Sequence, residues 1–206
     1  MQKIANLKGF TYAAVSSSTF GLAPFFSIRL LNEGLSPFEV LSYRWGTASL
    51  ALLAFGLLTG VRFHVDRRNL GVVFLLSLLR ATTSLSLVFA YANIASGVAS
   101  IIHFMYPLAV AMAMMLFFKE RPSLGILTAI AVSIAGAAML SSGDIVSRDG
   151  NVAVGIVCAC ISVFSYAGYI VGVRKTRAAD VESTTLTLAV MAAGAVLFAC
   201  GGALTS

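Results

Sequence analysis

Four polar side chains, Ser77, Arg80, Ser84 and Tyr91, fall inside one long apolar stretch at helical spacing, which puts them on one face. An arginine stays charged at any working pH and offers five donors in a fixed fork. A stripe built around Arg80 therefore suits holding an anionic or zwitterionic group. A second constellation, His103, Tyr106 and Pro107, lies in the next apolar stretch. His103 and Tyr106 share a face, and proline cannot donate to the carbonyl of His103, so that helix must bend. Tyr166 offers one more ring on a later stretch. None of the eight acidic residues lies at depth within such a stretch, Glu39 standing at the edge of one. Paired-carboxylate hydrolysis, zinc chemistry and a serine–histidine triad thus lack their constituents. Cys158 and Cys160 point to different faces of one helix, and with Cys200 they read as small apolar residues. No catalytic residue, metal or cofactor is expected.

The elements that position these residues follow from composition. The chain has 206 residues, 59% hydrophobic and 11% charged, with a mean hydropathy of +0.94. Soluble domains are about 25% charged. A helix crossing a bilayer needs roughly 20 apolar residues, and seven runs of that size occur, at 9–30, 38–60, 70–91, 97–118, 123–142, 151–173 and 184–204. Transmembrane strands are half as long and alternate in polarity, so the expected fold is an all-α polytopic membrane protein. Arg80 then sits roughly 15 Å from one end of its span at 1.5 Å per residue, near the midplane. Arg44, the other basic residue within a span, lies close enough to the outer end to snorkel or to reach Glu39. Gly168 and Gly172 form a small-residue pair that suits close helix packing.

Net charge is +6, and its distribution decides its meaning. Lys3, Lys8, Arg62, Arg67, Arg68, Lys119, Arg121, Arg174, Lys175 and Arg177 fall on one side, against Arg29 and Arg148 on the other. This positive-inside bias places the N-terminus in the cytoplasm and the protein in the cytoplasmic membrane. Anionic lipid headgroups account for the basic excess, so no nucleic-acid partner is expected. A seven-helix receptor would have the opposite orientation, and span seven lacks the lysine that a retinal protein needs.

The polar joint at 143–150 divides the chain into a five-span unit, 1–142, and two further spans, 151–206. A shift of 146 residues places Gly9 on Gly155, Ala13 on Ala159 and Ser16 on Ser162. Because five spans is an odd number, a second copy enters the membrane from the opposite side, the inverted repeat of alternating-access carriers.

Ser36-Pro37-Phe38, Tyr43-Arg44-Trp45, Tyr106-Pro107-Leu108, Lys119-Glu120-Arg121 and Gly136 occur in this order along the first unit. In this the chain resembles the EamA-type carriers of the drug/metabolite transporter superfamily. The resemblance implies ten helices in two inverted five-helix units, with Arg44, Pro107, Glu120 and Gly136 as structural motif residues. Only seven spans precede Ser206, so a fragment is expected, or a variant that borrows helices from a second copy. The function implied is carriage of a small organic metabolite, amino-acid-like or otherwise carboxylate-bearing, by export or exchange. The cavity candidates are Arg80, Ser77, Ser84, His103, Tyr106 and Tyr166. The partners expected are a small-molecule substrate and the lipid bilayer, with a second copy of the chain as a candidate. A non-transporting subunit or fragment, or a channel, is the alternative.

Overall fold

A computed structural model describes residues 11, 22–61, 63–120, 124–125, 127–128, 130–132, 135 and 150–205. Its helices are α1 (Leu22–Asn32), α2 (Pro37–Leu58), α3 (Leu70–Asn93), α4 (Ser96–His103), α5 (Tyr106–Phe118), α6 (Val152–Lys175) and α7 (Ser183–Thr205). Short 3₁₀ turns at Arg67–Asn69 and Arg177–Asp180 precede α3 and α7. Among the described residues five segments are long and apolar enough to cross a membrane: Pro37–Leu58, Arg67–Asn93, Ser96–Phe118, Val152–Lys175 and Ser183–Leu204. Spans two, three, four, six and seven are therefore present. The expected spans at 9–30 and 123–142, with Gly136, lie partly or wholly outside the described residues, as does the joint at 143–149.

The helix ends follow local rules. Ser36 caps α2 in a reciprocal box with Glu39, its backbone N–H donating to the carboxylate at 2.7 Å, and Pro37 supplies a preset first turn. Gly34 takes the positive φ of +91° that the preceding turn requires. Asn151 caps α6 by accepting from the N–H of Val154 at 3.3 Å. Glu182 accepts from the N–H groups of Thr184 and Thr185 at 2.9 and 2.7 Å where α7 begins. Within the helices, hydroxyls turn back on carbonyls one turn earlier, as Ser49 does on Trp45 and Thr83 on Leu79. The outward side chains are apolar, among them Leu50, Leu58, Phe117 and Phe164. Continuous exposed apolar surface of this kind needs lipid.

Two antiparallel contacts organise the bundle. The first joins α3 to α6: a methyl group added at Gly172 would stand 2.6 Å from Leu76, and one at Gly155 would stand 2.6 Å from Ile94. Small residues let these backbones approach, which in lipid replaces the hydrophobic drive between helices. The second joins α2 to α7, where Trp45 lies against Gly194 and Phe38 against Gly201. Trp45 also meets Phe198 edge-on at 5.2 Å. These pairings bring the start of α3 and the ends of α2, α5 and α6 to one end of the bundle. Arg67, Arg68, Lys119, Arg174, Lys175 and Arg177 gather there, and Lys175 pairs with Glu120 at 2.6 Å. At the other end Asn93 accepts from the backbone of Asn151 at 3.1 Å.

Candidate functional site

The bend expected at Pro107 is a complete interruption. α4 ends at His103, Phe104 and Met105 form a turn, and α5 restarts at Tyr106 with Pro107 in its first turn. Proline cannot take a donor's place in a continuous helix, so the interruption falls where its ring would clash with the preceding turn. The break delivers His103 and Tyr106 side by side, with ring centroids 5.6 Å apart.

Both rings meet α6. His103 Nδ1 lies 3.0 Å from Ser162 Oγ, and Ser162 donates to the carbonyl of Ala159 at 2.6 Å. The serine hydroxyl has one hydrogen, and the carbonyl can only accept. A proton on Nδ1 of His103, donated to Ser162, satisfies both bonds of this chain. Tyr106 contacts Tyr166 edge-on at 4.6 Å, and His103 stands 5.4 Å from the same ring. Tyr166 in turn stacks parallel to Tyr169 at 5.9 Å.

Arg80 closes this aromatic group. Its guanidinium carbon sits 4.9 Å from the centre of the Tyr166 ring and 5.9 Å from that of Tyr169. Both distances fall within the range of cation–π attraction. Among the described residues Arg80 has no ion pair, since the two salt bridges seen are Arg29 with Glu33 and Lys175 with Glu120. Ring faces thus hold a cation midway along its span without supplying a counter-charge.

Beside these rings lies a cavity of about 10 Å³, room for about one water. Arg44, Arg80, Ser84, Tyr91 and His103 are among its lining residues. Arg44 does not reach Glu39, which is occupied by the Ser36 cap. It turns inward instead, donating to Ser27 of α1 at 3.3 Å, with Ser27 only 1% exposed. A wider hollow of about 500 Å³ lies between α1 and α4. Its walls join Phe25, Ile28 and Phe104 to Arg29, Asn32, Ser96 and Ser100, whereas two arginines and His103 meet at the smaller space.

Of the cavity candidates, Arg80, Ser84 and His103 line this space, while Tyr106 and Tyr166 form the adjoining ring group. Ser77 does not join them: it is fully buried and donates to Val73 at 2.7 Å within its own helix. Tyr169 was not among the candidates, although its position one turn after Tyr166 placed it on the same face. Glu120 lies at the basic end, far along α5 from the rings. Among the described residues no three of His, Cys, Asp or Glu come together to hold a metal ion.

Long apolar helices, one of them interrupted beside a polar cluster midway along its neighbours, fit a multi-pass membrane protein. The model of the EamA-like transporter family matches residues 7–142, and the chain belongs to that family. It is accordingly a membrane transporter of the drug/metabolite superfamily. No curated protein and no solved structure matches it.

Proposed function

We propose that the chain carries a small carboxylate-bearing organic metabolite across the cytoplasmic membrane by alternating access, with Arg80 holding the anionic group. The observation behind this reading is the guanidinium at mid-depth that rests on the faces of Tyr166 and Tyr169 beside a water-sized cavity. A cation on ring faces is held without being neutralised, so an incoming carboxylate gains a charge-assisted bond without displacing a bound acid. The cavity is too small for a metabolite, so on this reading its walls part to admit the solute.

The two-unit reading gains support from α2 and α7. Their caps, Ser36 and Glu182, stand at the 146-residue shift found in the sequence, and the two helices run antiparallel against each other. The gathering of basic residues at one end supports a cytoplasmic assignment for that end and for the N-terminus. No acidic residue lies at depth in the described spans, which favours uncoupled export or exchange over a carboxylate proton relay.

Counterflow in proteoliposomes holding the full-length protein tests the reading. Arg80→Gln should abolish exchange of carboxylate-bearing solutes while Arg80→Lys keeps a measurable part. Unchanged exchange by a well-folded Arg80→Gln protein would sink it.

A further inference from the structure

Arg44 and Arg80 come from different helices, α2 and α3, yet both line the same water-sized cavity. Both guanidinium groups stay charged. Their polar neighbours include no acid: Ser27 accepts from Arg44, Tyr166 and Tyr169 lie under Arg80, and Thr83, Ser84, Tyr91 and His103 stand in the wall. No carboxylate of the described residues faces the cavity. Two like charges converging on one space in a low-dielectric surrounding repel each other, and that arrangement is favourable when two negative charges arrive between them. A helical span has many positions at which an arginine could point to the bilayer interface. Arg44 instead turns from the nearby end of α2 toward the interior.

From this convergence we propose that the carried solute is a small organic acid with two anionic groups, one held by Arg80 and the other by Arg44. This rests on the carrier reading given above and narrows its substrate class. Arg44 becomes a specificity-determining residue, whereas Arg80 is needed for any anion. Ser27 holds the Arg44 fork, as Tyr166 holds that of Arg80.

The test uses full-length protein, in detergent for unfolding and in proteoliposomes for counterflow, with linear dicarboxylates of three to six carbons as probes against monocarboxylates of matched length. Binding is read by the shift in thermal unfolding and by competition in counterflow. Wild-type protein should bind at least one dicarboxylate about tenfold or more tightly than its monocarboxylate. Losing one charge-assisted bond corresponds to roughly 10- to 150-fold, so Arg44→Gln should weaken the dicarboxylate by that factor and change the monocarboxylate by less than about threefold. Arg44→Lys, which keeps the charge, should recover part of the dicarboxylate affinity and guards against a variant that simply misfolds. Arg80→Gln should lose both classes. Equal effects of Arg44→Gln on both classes, or equal wild-type affinity for them, would overturn the two-group proposal and leave the carrier reading standing. Binding of neither class by wild-type protein would overturn both.

Discussion

Replacing Tyr166 tests whether aromatic faces hold the midplane charge. Arg80 stands 4.9 Å from that ring, and the pair lies between helices, where cation–π attraction reaches about 2 kcal/mol. Removing the ring also removes the edge contact with Tyr106 at 4.6 Å, worth about 0.5–1.5 kcal/mol. Tyr166→Leu should therefore cost about 2–3 kcal/mol of stability. Tyr166→Phe keeps both ring interactions and should stay within about 0.5 kcal/mol. The clean quantity is the coupling in a double-mutant cycle with Arg80→Met, because the cycle cancels whatever each change does alone. Tyr169 keeps part of the attraction when Tyr166 is gone, so a coupling of about 1–2 kcal/mol is expected. Reversible unfolding in mixed micelles gives the four stabilities. Additivity within about 0.3 kcal/mol would refute the reasoning, since it would mean that Arg80 and the Tyr166 ring do not feel each other.

Two further outcomes follow from the packing and the caps. Gly172→Val should cost about 1–3 kcal/mol by forcing α3 away from α6 at Leu76, whereas Gly97→Ala, where an added methyl meets nothing within 4 Å, should be neutral or stabilising; unfolding midpoints in detergent compare them. Glu182 has its carboxyl lowered from 4.5 to about 2, first by the N–H groups of Thr184 and Thr185. Its contribution to the start of α7 should then be complete above 4.5 and disappear as the pH falls through about 2. Wild-type stability should fall more steeply than that of Glu182→Gln as the pH drops from 4.5 to about 2 in acid titrations followed by circular dichroism, and parallel curves would contradict it.

Much of the fold was legible because lipid imposes a simple rule: long apolar runs with their backbone satisfied internally. The five crossing segments lie where hydropathy places them, and Pro107 announces the break in span four. The site was legible in part. Arg80 and His103 are conspicuous because polar groups at depth are costly. The direction of Arg44 was not readable, because its reach toward Glu39 depended on that carboxylate being available. The local sequence Ser36-Pro37-Phe38-Glu39 had already committed it to the cap. Ser77 misled in the opposite way: helical spacing gives a face, but a serine hydroxyl can satisfy itself on the carbonyl one turn back and line nothing. Tyr169 shares the face of Tyr166 by its spacing, but only the cation above it shows that this ring belongs to the group.

The most direct measurement is the accessibility of a cysteine placed at Ser84, beside Arg80 on the cavity wall, after replacement of Cys158, Cys160 and Cys200 by alanine. Membrane-impermeant thiol reagents are applied to right-side-out and to inverted vesicles, with and without solute. Alternating access through this cavity predicts labelling from both faces and protection by a transported anion. Labelling from neither face would contradict it and would make Arg80 and its rings a buried structural cluster.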